Sequence, residues 1–249
     1  MNTAVRFSYF GFVCLLAFAL PETVLAQSFS LEVGEGGSVT GRLVQMFVLV
    51  AVLTLAPAIV VMLTSFIRLI VAFSLLRTAL GTQQTPPNQV LISLALFLTF
   101  FIMQPTLNQV YDEAISPLIN EQITEEQALD RSIAPFRSFM LNYVREKDLA
   151  LFMDIGNIAA PESAEETPMR ALIPAFIISE LKRGFEIGFM LFVPFLIIDM
   201  VIASILMSMG MMMLPPILIS MPFKIIFFVL VDGWYLVVGS LTRSFDVGI

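Results

Sequence analysis

Histidine is absent from the 249-residue sequence, and cysteine occurs once, at Cys14. A Ser-His-Asp triad, a histidine-ligated metal and a Cys/His zinc site are therefore excluded. Charged residues make up only 13%, against about 25% in an ordinary soluble domain. The sequence also has no GxxxxGK[ST] phosphate-binding loop and no nucleophile–base pair. It indicates a protein that is not an enzyme and that needs no cofactor or metal.

Apolar residues are abundant: 58% of the chain is hydrophobic and the mean hydropathy is +0.91. They concentrate in four stretches: 43–64, 90–103, 185–213 and 223–241. These stretches predict an all-α membrane protein with four spans. With the mature N-terminus outside, Arg68 and Arg77 reach the cytoplasmic side, as the positive-inside rule prefers. The same topology leaves Lys182 and Arg183 on the opposite side, which is a conflict within this simple scheme.

The composition divides the chain into four regions. Residues 1–26 combine Arg6, an apolar run and a small-residue site ending at Ala26, the pattern of a cleaved signal peptide. An uncleaved anchor is the alternative, but the apolar run is too short for a core of about 30 Å. The other regions are an apolar region over 27–110, an acidic helical region over 111–170 and a second apolar region over 171–249.

The acidic region holds 12 acidic and 5 basic residues, so it alone accounts for the net charge of −7. Its pattern predicts short amphipathic helices around 127–144 and a looser linker near 160–168. We interpret its charge as a solvated face. Metal binding and a docking site are the alternatives.

Three charges lie among apolar residues without a partner three or four positions away: Asp199, Lys224 and Asp232. Such a charge costs about 2.5–3.5 kcal/mol by insertion scales. We interpret them as part of a buried ion-pair network that sets the register of helices or subunits. Asp199 and Lys224 form its leading pair, and Glu180 is the next acid. Solvation at a membrane interface and a proton relay through Asp199 and Asp232 are the alternatives. An intramembrane aspartyl protease is a third, but no GxGD-like context surrounds either acid.

Small residues and prolines indicate how the helices pack. Gly184 and Gly188 form a small-xxx-small pair, which lets helices approach closely. Pro57, Pro174 and Pro194 each free a backbone carbonyl that a neighbouring helix can satisfy and lipid cannot. The helices are therefore expected to pack against protein more than against lipid.

Five methionines lie within the seven residues 207–213, just before two prolines. The segment predicts a turn between two apolar helices. Because methionine side chains are flexible and polarisable, copies of this turn around an axis could close on a variable surface. Met209, Met211, Met212 and Met213 are therefore candidates for a compressible pore gasket. Ordinary core packing and a Cu(I) site are the alternatives.

Two blocks, 63–105 and 173–234, closely resemble the FliP family of flagellar export-gate proteins, which has counterparts in injectisomes. The blocks contain the strings GTQQTPPNQ and SMGMMMLPP. The resemblance implies helical hairpins over 27–110 and 171–249, packed into a helical, pore-forming oligomer with a small periplasmic insertion over 111–170. Five copies would assemble with one FliR and four FliQ subunits and with further export-apparatus proteins, and nucleic acid is not an expected partner.

The resemblance also implies a location and roles for individual residues. The assembled gate would lie in the bacterial inner membrane at the flagellar basal body, project toward the periplasm and pass unfolded flagellar proteins. The methionine loop would seal the pore, and Glu180, Asp199 and Lys224 would make contacts between subunits. The turn Thr85, Pro86, Pro87, Asn88 and Gln89 would belong to the cytoplasmic-facing entrance. A small-solute or proton transporter centred on Asp199 is the alternative function.

Overall fold

The computed structural model describes residues 39–82, 84–159, 161, 163–211 and 214–245. The predicted signal segment and Met212 and Met213 lie outside these residues. The chain divides into two compact units between Ala51 and Val52. In the first unit, the described residues belong to helix α1 (Val39–Met62), and their described side chains from Leu43 to Val50 are exposed.

The second unit is helical throughout. Beyond the end of α1, its elements are α2 (Phe66–Ala79), α3 (Asn88–Val110), a π-helical turn (Tyr111–Ile115), α4 (Ser116–Ile119), α5 (Glu125–Tyr143), α6 (Glu146–Ile155), a 3-10 turn (Ala164–Glu166), α7 (Met169–Ser208), α8 (Pro216–Leu230) and α9 (Gly233–Arg243). No strand occurs in the described part of the chain. The prediction of an all-α membrane protein is confirmed.

Two helical runs are long and apolar enough to cross a membrane, Asn88–Ile119 and Met169–Ser208. Helices α8 and α9, bent by 66° at their junction, add a third if they count as one span. The described residues thus offer two or three spans, where the hydropathy pattern alone predicts four. Part of the difference is that 223–241, read from hydropathy as one straight span, is two short helices joined at a sharp bend.

Helix α7 also begins well before the apolar stretch 185–213. Its 40 residues extend about 60 Å, twice the hydrocarbon thickness of about 30 Å. Lys182 and Arg183 can therefore lie on α7 outside the hydrocarbon while 187–208 lies within it. Lys182 is paired with Glu186 at 2.8 Å, one turn further along. The length of the helix therefore takes Lys182 and Arg183 out of the apolar span, but it does not change the side of the membrane on which they lie.

Helices α2 and α7 run parallel and in close contact. Arg68 pairs with Glu180, Val71 lies against Gly184, and Leu75 lies against Gly188. Since α3 and α8 each turn back along the preceding helix, α2–α3 and α7–α8 form two hairpins. Their turns lie at the same end of the fold.

The core surrounds α2, whose buried residues contact α7 on one side and α9 on another. Its principal members are Leu69, Phe73, Leu76, Leu172, Phe176, Phe195, Val237 and Leu241. The acidic region packs at the end opposite the two turns, where the rings of Phe139 and Phe176 lie 5.9 Å apart. Its helix α5 begins at a capping box formed by Thr124 and Gln127, and its bounds agree closely with the predicted 127–144.

We expect Gly188→Leu to separate α2 from α7. A Cβ atom at position 188 would lie 2.2 Å from Leu75 Cδ1 and 2.8 Å from Leu75 Cβ, so the Leu75 side chain cannot simply rotate away. Overpacking of this kind costs about 1–3 kcal/mol, measurable as a lower thermal unfolding midpoint in detergent. Ser204→Leu, at an exposed position of the same helix, is the matched control. Equal midpoints for the two variants would contradict the close packing.

Candidate functional site: buried charge layers and the methionine turn

The first charge layer is an ion pair between α2 and α7 that is closed to solvent. Arg68 Nε donates to Glu180 Oε2 at 2.9 Å, and Arg68 Nη2 donates to Oε1, so the pair is bidentate. Neither residue has measurable exposure. Parallel packing of α2 and α7 brings the two together across 112 positions of sequence. A bidentate guanidinium–carboxylate pair fixes both distance and orientation between helices.

The last described residues of the chain close this layer. Arg68 Nη1 donates to the carbonyl oxygen of Ser244 at 2.9 Å and to its hydroxyl oxygen at 3.0 Å. The guanidinium carbon lies 3.6 Å from the ring centroid of Phe245, a cation–π contact. The hydroxyl of Tyr143 donates to the carbonyl of Phe245. Arg68 thus joins α2 and α7 to the end of α9, and Tyr143 connects the acidic region to the same point.

The second charge layer joins α7 to α8. Lys224 Nζ donates to Asp199 Oδ2 at 2.6 Å and to the carbonyl oxygen of Ala79 at 3.0 Å. The hydroxyl of Ser220 donates to Asp199 Oδ1 at 2.6 Å. Lys224 is 2% exposed, whereas the Asp199 side chain is 27% exposed. This layer closes the α7–α8 hairpin and also binds it to the last turn of α2.

A third polar cluster attaches the acidic region to α7. Arg145 makes a bidentate contact with Asp148, at 2.7 and 2.8 Å. The hydroxyl of Ser179 donates to Asp148 Oδ2 at 2.6 Å and accepts from the backbone N–H of Arg145 at 3.0 Å. Burial by itself raises the pKa of Asp148, but the hydrogen bonds from Ser179 and Arg145 and the charges of Arg145 and Lys147 outweigh it. The pKa of Asp148 therefore lies below its ordinary value.

Because the folded-state pKa of Asp148 is lowered, the carboxylate stabilises the fold above its unfolded pKa of about 3.9. That contribution is lost as the pH falls through the lower folded-state value. We expect the thermal midpoint in detergent to decrease on acidification below about pH 4, and Asp148→Asn to flatten this decrease. Asp154→Asn, at an exposed acid of the same helix, should leave the wild-type profile unchanged. A profile that Asp148→Asn does not alter would refute the assignment.

The methionine turn is exposed at the tip of the α7–α8 hairpin. Met209 is 61% exposed and Met211 is 42% exposed, on either side of Gly210. Gly210 has a φ of +74°, which lets the chain leave α7 sharply. Between positions 200 and 223, Leu206 and Ser220 are the buried side chains in the described part of the chain. The hairpin tip therefore has little support from the other residues that the structure describes.

The predicted entrance turn connects α2 to α3. Arg77 Nη1 donates to the side-chain oxygen of Asn88 and, at 3.3 Å, to the carbonyl of Pro86. Pro87 immediately precedes α3, as expected of a residue that cannot donate a backbone hydrogen bond. The turn lies at the same end of the fold as the methionine turn. Arg77 therefore stabilises this loop from the last turn of α2.

Several residues of these clusters are not identified from the sequence alone. The sequence predicts only that Arg68 lies on the cytoplasmic side of the membrane. In the structure Arg68 is buried and paired with Glu180. The test that isolates Asp199 would have found Arg68, because no acidic residue lies three or four positions away from it in the sequence. Asp148 and Ser179 carry no comparable signal. Asp232 contacts neither layer; it is exposed at the α8–α9 bend with a φ of +52°.

The Arg68–Glu180 and Lys224–Asp199 pairs each form within one chain. The charges of these four residues are therefore neutralised without a second subunit. Among the described residues, no group of three or more Cys, Asp or Glu side chains is placed to hold a metal ion. The charge clusters are thus structural connections between helices. Taken with the apolar spans, they define a class: an all-helical membrane protein whose hairpins are joined by buried ion pairs.

The chain belongs to the FliP family, whose model matches residues 49–241. It is 56% identical to the flagellar biosynthetic protein FliP of Caulobacter vibrioides, over 92% of this chain and 86% of the relative. It is 54% identical to that of Bacillus subtilis, over 81% of this chain and 91% of the relative. The relative from Pectobacterium carotovorum is 56% identical over 85% and 82% of the two chains.

Family membership establishes the general role of the protein. It is a membrane-embedded component of the flagellar export apparatus. The FliP family is a family of structural components and not of enzymes, in agreement with the composition of the sequence.

Proposed function

We propose that this chain is a core pore-forming subunit of the flagellar type III protein export gate. About five copies assemble with FliQ and FliR and surround a channel for unfolded flagellar proteins. Met209 and Met211, with Met212 and Met213 beside them, form the seal of the channel. The observation that carries the proposal is the exposed methionine turn at the tip of a hairpin that is fixed at its base.

The base of this hairpin is the Asp199–Lys224 layer. From Asp199 to the end of α7 there are nine residues, or about 13 Å of helix. Of the nine side chains from 200 to 208, six are exposed, two are half-buried and Leu206 is buried. A tip that is anchored on one side and unsupported on the other can move without disturbing the core. Flexible thioether side chains on such a tip can close against one another and yield to a passing polypeptide.

The exposed apolar surface supports an assembly. Large apolar side chains are exposed along both long helices, among them Phe97 and Phe100 on α3 and Phe189 and Met190 on α7, each by 65% or more. Lipid covers part of such a surface, and neighbouring subunits cover the rest when the helices form a ring. In the assembly, Glu180, Asp199 and Lys224 hold each subunit rigid beside the interfaces, and Gly184 and Gly188 keep α7 close to α2.

The two ends of the fold have different chemistry. The acidic region 111–170 packs at one end, and the turn 85–89 and the methionine turn lie at the other. We propose that the acidic region faces the periplasm, toward which the gate projects, and that 85–89 belongs to the cytoplasmic-facing entrance. We further propose that 1–26 is removed as a signal peptide; the N-terminal residue of the purified protein tests this directly.

A transporter centred on Asp199 is not favoured. The carboxylate is already neutralised by Lys224 and accepts a second hydrogen bond from Ser220. A substrate or a proton would have to displace a connection that holds the hairpin together.

The pore seal is tested by replacing Met209 and Met211 together with alanine. The chain is purified with FliQ and FliR, and its assembly into a species of about five copies is checked by native mass. The complex is then placed in vesicles that contain a small dye. We expect the double variant to release dye several times faster than the wild type, because shorter side chains leave the channel open.

Met190→Ala is the matched control, since Met190 is more exposed than Met209 and Met211 but lies in the middle of α7. It should behave as the wild type. Equal dye release from the control and from the double variant would refute the gasket. A chain that does not assemble with FliQ and FliR would refute the pore-forming role itself.

A further inference from the structure

A groove on the outer surface of the fold runs between α3 and α9. Its volume is about 600 Å³. Apolar side chains form its walls, with Leu98 and Phe101 on α3 and Tyr235 and Val238 on α9, and Arg243 lies at one end. Phe101 is 50% exposed and Tyr235 is 71% exposed, so the groove is open on its outer side. The role of the methionine turn and of the charge layers does not involve this groove.

The groove lies at membrane depth. Helix α3 belongs to a run that can cross a membrane, and α9 is half of a bent pair that can do the same. At the Arg243 end, the next residue of the chain, Ser244, contacts Arg68, and the acidic region packs immediately beyond it. Arg243 is therefore at the boundary between apolar helices and polar protein. The hydrocarbon chains and the head group of a lipid meet at such a boundary.

Arg243 is available to an anion. Its side chain is exposed, and its Nε donates to the carbonyl oxygen of Gly239 at 3.0 Å. None of the ion pairs found in the described part of the chain includes it. A Cβ atom at position 239 would lie 3.0 Å from Arg243 Nη2. The glycine thus lets the guanidinium lie along the surface of α9, directly at the end of the groove.

We propose that this groove binds one anionic phospholipid of the surrounding bilayer. An acyl chain fills the apolar part between α3 and α9, and the phosphate accepts hydrogen bonds from the guanidinium of Arg243. Charge complementarity favours an anionic lipid over other ligands. The apolar wall of the groove matches an acyl chain, and the single cation, Arg243, matches an anionic head group at the membrane boundary. An arginine suits a phosphate because its planar fork can donate two parallel hydrogen bonds. A zwitterionic lipid adds a second cation beside Arg243 and fits less well.

The only tryptophan of the chain provides the test. Trp234 is the neighbour of Tyr235 on α9 and is 37% exposed. The full-length chain is reconstituted in phosphatidylcholine vesicles that contain increasing fractions of brominated phosphatidylglycerol, whose bromine atoms quench tryptophan fluorescence at short range. Brominated phosphatidylcholine is used in a parallel series. We expect quenching by phosphatidylglycerol to reach half its maximum at a much lower fraction than quenching by phosphatidylcholine.

Two variants show whether the preference belongs to the groove. Arg243→Gln removes the charge and is expected to raise the half-quenching fraction of phosphatidylglycerol about tenfold, the effect of losing one charge-assisted contact. Gly239→Leu fills the groove and also displaces the Arg243 guanidinium from the surface of α9, so it is expected to raise the half-quenching fraction at least as much although the charge is kept. Arg131→Gln, at an exposed arginine of α5, is the control. The circular dichroism of each variant is measured first. A variant that does not fold is replaced by the double variant Val238→Trp, Trp234→Phe. Its tryptophan blocks the groove, and the quenching of its fluorescence is measured inside the groove.

The outcomes separate the possible occupants. Equal half-quenching fractions for the two lipids would overturn the proposal, and so would an unchanged preference in Arg243→Gln. A preference that Arg243→Gln removes and Gly239→Leu retains would mean that Arg243 attracts head groups without a bound acyl chain, and this too would overturn it. Absence of quenching in a chain that runs as a dimer would show that a second copy covers the groove instead of lipid.

Discussion

Arg68→Ala is expected to destabilise the protein by about 3–5 kcal/mol, the cost of leaving one member of a buried ion pair without its partner. The variant leaves the carboxylate of Glu180 at a position with no access to water. It also removes the cation from beneath the ring of Phe245 and the donor from Ser244. Three elements then lose a common anchor, so we expect α9 and the acidic region to detach together.

The measurement is the thermal unfolding midpoint in detergent, together with the amount of folded protein recovered from membranes. The double variant Arg68→Met, Glu180→Met removes both charges and keeps the apolar volume. It should recover much of the lost stability, because an apolar pair of similar size often replaces a buried ion pair at little cost. Arg77→Ala, at a partly exposed arginine of the same helix, is the matched control. A midpoint for Arg68→Ala equal to that of this control would contradict the structural role of the pair.

Asp199→Ala is expected to cost about 3 kcal/mol, and Lys224→Met less. The order follows from exposure: Asp199→Ala leaves the ammonium of Lys224, which is 2% exposed, with the Ala79 carbonyl as its remaining described partner. Lys224→Met leaves a carboxylate that is 27% exposed and still accepts a hydrogen bond from Ser220. The apolar stem of the lysine is also largely retained by methionine.

A double-mutant cycle on unfolding midpoints measures the coupling between the two residues. We expect the double variant to be more stable than Asp199→Ala alone. Asp232→Ala, which removes an exposed carboxylate from the α8–α9 bend, is the control for loss of an acid near α8. Additive effects of the two single substitutions would show that the 2.6 Å contact carries no coupling energy.

Much of the fold follows from local sequence patterns. The apolar stretches identify the long helices, and the pattern of the acidic region places α5 within a few residues of its bounds. The apolar stretches do not predict the length of α7. The charged residues Glu180, Lys182 and Arg183 lower the local hydropathy, so the hydropathy pattern places the start of the helix after them. In the structure these residues stay helical, since Lys182 pairs with Glu186 along the surface and Glu180 pairs with another helix.

The partners of buried charges show the limit of sequence reasoning more clearly. Isolation among apolar residues identifies Asp199 and Lys224 as charges that need a partner, and the structure brings these two together. The same reasoning cannot name Arg68 as the partner of Glu180, because their pairing depends on the parallel packing of α2 and α7. The sequence does not predict the contact between Asp148 and Ser179 either, for a different reason. Asp148 lies among charged residues in the sequence, and Ser179 is a small uncharged residue in an apolar stretch. Their contact forms only when α6 packs on α7.

The separation of Arg68 and Glu180 in the chain has a consequence for synthesis. Ribosomes add about 5–20 residues per second, so the 112 positions between the two residues take roughly 6 to 22 seconds to appear. During that interval Arg68 on α2 has no counter-charge. Burying its cation in hydrocarbon is then costly, even though the rest of α2 is apolar. We therefore expect the nascent chain to keep the Arg68 end of α2 in contact with water or protein until α7 emerges. Insertion of the first hairpin is completed only by the arrival of the second.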